Sequence, residues 1–555
     1  MAPDRVERVT RTPTAVDAIA DGFVVRYAAL DPIAATENGI AGHDAQMTDF
    51  SPDGHEARVA ARRDALRALD AAEPADGTDR VTVAAMRFLL GAELALDDAG
   101  ETLAPVNNIA SPLQAMRDTF DLMPTQTDDD WATVAARLRA LPGAARGYAA
   151  ALRQTAAAGR LAAIRQVEEG IRQAGELADP QTSFFVELAG RAPEAVRDEV
   201  AAAAAGAVAA YGELVRTLRE VAPRAPEADG VGRDRYALWS RYFLGATVDL
   251  DETYAWGLDQ LARISAEQEA VARRIAGPGA NVEDAITALD ADPARRLTGT
   301  AALQEWMQQT SDDAIAALDG THFAIPEPLH RLECLIAPTQ NGGIYYTGPS
   351  DDLSRPGRMW WSVPPGVTEF STWRERTTVY HEGVPGHHLQ VGTAVVARDQ
   401  LNSWRRLLAW TSGHGEGWAL YAERLMADLG FLDDDGDLLG MLDGQRMRAA
   451  RVVFDIGVHL GLAAPDSSGR PWDAGSGWTL LRRNLHQAEP FIRFEWLRYL
   501  GWPGQAPSYL VGQRLWTRAR DEAARREGSS FDPAAFHGRA LALGPLPLEV
   551  LGTVV

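Results

Sequence analysis

Four of the chain's 11 histidines, His381, His387, His388 and His414, share one short window with Glu382, Glu416 and Glu423. Neutral imidazole and carboxylate are the ligands zinc takes in hydrolytic centres, commonly three from the protein with one position left for water. The text HEGVPGHHLQ sets His381 and Glu382 side by side, so that one can bind a metal while the other faces its water. In the common zinc-peptidase pattern H-E-x-x-H, two histidines one helical turn apart share a face and the intervening Glu acts as general base. Here the second histidine comes two residues later, which a regular helix would turn to a different face. Pro385 and Gly386 fill that gap. Proline breaks intrahelical hydrogen bonding and glycine permits unusual dihedrals, so the sequence predicts a bulge that brings His387 back to the metal. His387 is preferred over His388 as the second ligand. In SGHGEGWALYAERLMADLG, Glu416 is the candidate third ligand, and Glu423, seven residues on, lies two turns along the same face. There it would orient a ligand histidine, with His414 as a lesser candidate for the metal. The pair His55-Glu56 has no second histidine nearby and reads as surface decoration.

Further polar residues recur at chemical spacing. Arg451, Asp455 and His459 repeat every four residues on an otherwise apolar segment, one stripe that must face water, a site or a buried partner. His459 is a candidate donor to a developing oxyanion. Arg498, Tyr499 and Tyr509 flank a Pro-Gly turn and suit either oxyanion stabilisation or capture of a substrate carboxylate.

These side chains need rigid elements beneath them. From about residue 13 to 320, alanine-rich stretches spaced by arginine and acids predict helices over 56–72, 129–156, 159–178, 194–221 and 251–275. This half, 1–320, reads as an N-terminal scaffold lobe, with 222–234 as a loop between lobes, and 321–555 as the catalytic lobe. In 321–366 Pro, Gly and aromatic residues cluster, and GGIYYTGP and GRMWWSVP predict two short strands joined by a polar turn. Either strand could add an extended peptide to its edge, with Tyr345 and Tyr346 lining it. A helix starting near Ser371 then carries His381 and Glu382. The expected fold class is therefore mainly α, with a small β element before the metal-binding helix.

Composition excludes more than it assigns. A formal net charge of -23, with every basic residue an arginine scattered among acids, argues against nucleic-acid binding. The single cysteine, Cys334, cannot pair within the chain, and no window is apolar enough for a membrane span, so a cytoplasmic protein without a membrane partner is expected.

HEGVPGHHLQ at 381–390 and EGWALYAE at 416–423 resemble the motifs of a bacterial family known as domain of unknown function 885. YYTGPSDDLSRPGRM at 345–359, RAARVVFDIGVH at 448–459 and RYLGWPGQAPSY at 498–509 match as well, and the N-terminal ATENGI and MTDFSPDG match weakly. That family in turn resembles the helical gluzincin peptidases, the group of angiotensin-converting enzyme, thimet oligopeptidase and thermostable carboxypeptidases. The resemblance implies a two-lobed helical metallopeptidase-like fold around a cleft. It implies one Zn2+ per chain on His381, His387 and Glu416, Glu382 as general base, and short peptides as substrates. A small-molecule amidase or esterase on the same metal, and a helical binding protein without turnover, are the alternatives. Oligomeric state is not legible.

Overall fold

In the computed structural model, which describes residues 11–337, 343–465 and 469–555, helices begin where capping residues permit them. Thr127 and Asp130 form a reciprocal capping box at the start of the 30-residue helix Asp128–Ala157. Ser51 and Asp249 each accept first-turn N–H groups at the starts of Pro52–Ala71 and Leu250–Ala276. Helices Ile164–Ala178 and Arg197–Val221 complete the set predicted for this half.

Two large apolar cores result. One draws only on residues between Ile33 and Val221, and is built around the packing of Asp128–Ala157 on Arg197–Val221. The other runs from Val16 to Leu551, taking Ile315 and Leu318 from before residue 320 and Trp373, Trp418 and Leu442 from after it. The half after residue 320 therefore shares its core with elements before it. The 222–234 segment is not a free linker: the N–H of Gly232 donates to the carbonyl of His459 at 2.9 Å, and a Cβ on Gly230 would lie 2.6 Å from the Val458 carbonyl.

Three strands form a small sheet in the order Leu332–Ile336, Gly357–Trp361, Ile344–Thr347, the first pair parallel and the second antiparallel. The two predicted strands are present, joined by the polar turn. The third, LECLI, was not foreseen, because a short apolar run reads equally as buried helix. Its presence makes Gly357–Trp361 the central strand, paired on both sides, so that strand cannot accept a peptide along its edge. Arg296–Thr298 pairs separately with Glu369–Ser371, immediately before the helix Thr372–Glu382.

Candidate metal centre

His381 and Glu382 are the last two residues of Thr372–Glu382. The expected bulge within one helix is instead a complete break: residues 383–386 form a turn, and His387 opens a new helix, His387–Val396. The turn doubles back tightly. The N–H of Gly386 donates to the Tyr380 carbonyl at 3.1 Å, and a Cβ at Gly386 would lie 1.9 Å from the His381 carbonyl oxygen, so only glycine fits. Trp418, on the helix Ser412–Asp428, fixes the turn by donating its indole N–H to the Pro385 carbonyl at 2.9 Å.

This fold-back brings three ligand atoms together. His381 Nε2 lies 3.4 Å and His387 Nε2 3.7 Å from Glu416 Oε2, and ligand atoms of all three residues fall within 4.8 Å of one another. The two imidazoles stand nearly perpendicular, at 89°. Zinc bonds of about 2.0–2.2 Å in a tetrahedron place neighbouring ligand atoms roughly 3.3–3.6 Å apart, so the donor set has the size and chemistry for such an ion. Orientation is secured from behind. His381 Nδ1 sits 2.7 Å from Glu423 Oε1, and Thr377 Oγ1 donates to Glu423 Oε2 at 2.6 Å. A carboxylate on Nδ1 fixes a proton there and directs Nε2 at Glu416.

Electrostatics favour a cation. Burial opposes charge on the His381 imidazole, but its hydrogen bonds to the Glu416 and Glu423 carboxylates outweigh it and raise the pKa to about 10. Burial likewise opposes charge on Glu416, yet the two imidazoles hold it well below the usual carboxylate range. Burial raises Glu382, while His381 and His387 pull the other way. Three carboxylates thus surround two imidazoles in a buried place, an arrangement that a divalent ion would neutralise.

His388 belongs to a different network. Its Nε2 donates to the Leu329 carbonyl at 3.0 Å and its Nδ1 accepts from the Tyr346 hydroxyl at 2.9 Å. With both nitrogens occupied it is not a ligand, and burial lowers its pKa to about 4. Tyr346 is thereby anchored, whereas Tyr345 stacks on Trp360 and stays exposed. His414 pairs through Nδ1 with Gln390 at 3.1 Å and stands outside the ligand group.

The polar stripe on Asp435–Leu460 splits into separate jobs. His459 cannot serve as the expected oxyanion donor: its Nε2–H is spent on the Tyr499 carbonyl at 2.9 Å, and burial lowers its pKa to about 4, leaving a lone pair on Nδ1. Asp455 accepts from the Tyr236 hydroxyl at 2.7 Å and the Gly504 N–H at 2.9 Å, an internal tie. Tyr499, fully buried, donates to Glu495 and accepts from Arg451 Nε at 2.6 Å, so its hydroxyl is not available either. Arg498 bonds Glu495 at 3.1 Å and points Nη2 to the Tyr509 hydroxyl at 3.5 Å. Of this set Tyr509 alone keeps an uncommitted hydroxyl within the field of Glu416, which together with burial raises its pKa.

Sequence reasoning missed Arg448, Trp410 and Trp418. Arg448 stands three residues before Arg451 on the same helix and pairs with Glu423 at 3.8 Å; its signals were that spacing and its place at the start of the family-like stretch 448–459. Trp410 is 43% exposed, with its ring 6.0 Å from that of His387. A cavity of about 420 Å³ lined by Phe323, Leu389, Val396 and Leu541 lies apart from these ligands and contains none of them.

The crystal structure of "the putative lipoprotein from Colwellia psychrerythraea" is similar with a TM-score of 0.83 at 21% identity, covering 98% of each chain. A second, "a putative lipoprotein of unknown function from Shewanella oneidensis", gives 0.73 at 15% identity, covering 98% of this chain and 100% of the other. Likeness at such identity establishes a shared, mainly helical fold. No curated protein matches the chain. The profile of the "Bacterial protein of unknown function (DUF885)" family matches residues 32–555, and the chain belongs to that family.

Proposed function

We propose that this chain is a zinc-dependent hydrolase of short peptides, one ion per chain, with a helical body related to the gluzincin peptidases in two lobes around a cleft. One observation carries the reading: His381, His387 and Glu416 converge with Nε2 to Oε2 distances of 3.4 and 3.7 Å, with Glu382 beside them. A zinc ion held by these three residues would supply Lewis acidity, lowering the pKa of water towards about 7 and polarising a scissile carbonyl. Glu382, kept partly proton-loving by burial, takes the proton of the attacking water on its carboxylate and returns it to the leaving amine. Glu423 holds His381 in the required tautomer. Tyr509 donates its hydroxyl where negative charge develops on the carbonyl oxygen, and Arg498 positions it.

The partner class is peptide, with neither nucleic acid nor membrane. No helix among the described residues is long and apolar enough to cross a membrane. We carry a cytoplasmic location in the proposal on the single, buried Cys334. An envelope location, which the description of the relatives as lipoproteins brings in, is the rival that cell fractionation separates.

Metal content by mass spectrometry tests the centre. About one zinc per chain is expected, lost in His381→Ala, His387→Ala and Glu416→Ala and kept in His388→Ala. Absence of zinc after reconstitution overturns the hydrolase mechanism. With metal bound, cleavage of several peptides separates a peptidase from an amidase or esterase, and no turnover at all leaves a binding protein.

A further inference from the structure

Three guanidinium groups surround one tyrosine ring: the central carbons of Arg451, Arg448 and Arg498 lie 4.8, 5.9 and 5.9 Å from the centroid of Tyr509. Two of the three are saturated by internal partners. Arg451 donates to the Tyr499 hydroxyl at 2.6 Å and Glu495 at 2.8 Å, and Arg498 donates to the same Glu495 at 3.1 Å and to Gln505 at 2.5 Å. Arg448 is not. Its nearest carboxylate oxygen, Glu423 Oε1 at 3.8 Å, is committed to His381 Nδ1 at 2.7 Å. Among the described residues no hydrogen-bond acceptor meets the Arg448 guanidinium, and its Nε is buried without a partner. The side chain is nevertheless 17% exposed, so a solute can reach it.

Charge accounting points the same way. Three arginines face two carboxylates, Glu495 and Glu423, and Glu423 is also bonded to His381, so Arg448 is the guanidinium left without a carboxylate of its own. A partly buried guanidinium with unused donors is an incomplete hydrogen-bond site, and its planar fork matches a carboxylate bidentately. Its position sets the scale. Arg448 is separated from the proposed ligand His381 by one carboxylate, and an extended residue spans roughly 3.3–3.6 Å. Tyr509, 5.9 Å from the Arg448 guanidinium, also lies in the field of Glu416, so a carboxylate held between Arg448 and Tyr509 leaves the last one or two peptide bonds of a chain towards Glu416.

We infer that Arg448, with Tyr509 at its side, is a subsite for the free carboxylate of a peptide, and that the enzyme cuts close to the carboxy terminus. This rests on the hydrolase reading above and specifies its substrate class. Charge-assisted bonds to one carboxylate make about a 10- to 100-fold difference in binding, and that is the preference expected here.

An acetylated alanine tripeptide offered as free acid and as C-terminal amide provides the probe, in two arms. With the zinc-loaded enzyme, kcat/KM for the acid should exceed that for the amide about 10- to 100-fold, with product masses showing loss from the carboxy end. Arg448→Gln should collapse the ratio towards one, and Arg448→Lys, which keeps the charge without the fork, should retain part of it. In the second arm calorimetry measures binding of both peptides to Glu382→Gln, and the acid should bind more tightly unless Arg448→Gln is added. If the wild type cleaves the amide as well as the acid, or Arg448→Gln keeps the preference while folded, the subsite is wrong and the hydrolase stands. If neither peptide is cut yet the acid still binds through Arg448, the hydrolase reading falls and the carboxylate site stands. Equal binding of acid and amide overturns the subsite in either case.

Discussion

Replacing Glu423 by Gln removes one charge and almost no volume, which makes it the sharpest probe of the centre's construction. Glu423 is 1% exposed, accepts the Nδ1–H of His381 at 2.7 Å and the Thr377 hydroxyl at 2.6 Å, and faces Arg448 at 3.8 Å. Glutamine can keep an oxygen on His381 and turn its amide towards Thr377, whose hydroxyl can accept instead. What disappears is the charge assistance, which roughly doubles the strength of such a bond. Carboxylates that orient ligand histidines contribute about 10- to 100-fold to metal affinity, or about 1.4–2.7 kcal/mol. Competition against a chromogenic chelator should show the zinc Kd rising by that factor, with the stoichiometry still reaching one per chain. His388→Ala is the internal comparison: its two nitrogens face Leu329 and Tyr346, so its Kd should stay near the wild-type value. An unchanged Kd in Glu423→Gln, or an equal loss in His388→Ala, would refute the assignment of His381 as a ligand held from behind.

Gly386→Ala should abolish stoichiometric zinc binding and lower Tm, because the new Cβ meets backbone, 1.9 Å from the His381 carbonyl oxygen and 2.5 Å from that of Tyr380. Overpacking of this kind typically costs about 1–3 kcal/mol, and metal analysis beside thermal melting checks both effects. Asp455 gives a pH signature. Burial raises its pKa from 3.8 to about 7, so the folded state holds the proton more firmly than the unfolded chain, and stability present at low pH is lost as pH rises through 7. Asp455→Asn keeps an oxygen for Tyr236 and Gly504 but does not titrate. Urea unfolding should therefore show the variant gaining on the wild type from about pH 4 up to 7 and no further above it, by at most about 4 kcal/mol in all, and a pH-independent difference would contradict the shift.

Helix positions were readable because alanine-rich spacing is local: the expected 129–156 and 251–275 lie within a residue of Asp128–Ala157 and Leu250–Ala276 at each end. The convergence of the candidate ligands was readable for the same reason, since their residue types lie within 36 positions of sequence, from His381 to Glu416. Function on the polar stripe was not readable. Periodicity put Arg451, Asp455 and His459 on one face, but their roles are set by Glu495, Tyr236 and the Tyr499 carbonyl, which reach them from other elements. His388 is similar: the spacing argument prefers His387, but what His388 does instead is set by partners 59 and 42 residues away. Arg448 was passed over because the sequence shows its charge but cannot show that its donors have no acceptor.

The Pro-Gly insertion changes how the ligands are supplied. In H-E-x-x-H one helix face carries both histidines, and helical geometry alone fixes their separation. Here His381 ends one helix and His387 begins the next, so their separation depends on the turn between them. The Ser412–Asp428 helix supplies what the single helix would have supplied. Glu416 meets both imidazoles, Glu423 orients His381, and Trp418 ties down the Pro385 carbonyl. That helix is in turn packed extensively on Ser508–Glu527, where Trp516 Nε1 donates to the His414 carbonyl at 3.0 Å. The glycines allow this closeness: a Cβ on Gly417 would come within 2.5 Å of Gly512 backbone, and one on Gly512 within 2.3 Å of the Gly413 carbonyl. The helix that begins with Ser508 also carries Tyr509. The same packing that holds Glu416 against the histidines thus sets Tyr509 and its arginines beside them, so that the ligands, the proposed oxyanion donor and the carboxylate subsite share one rigid support.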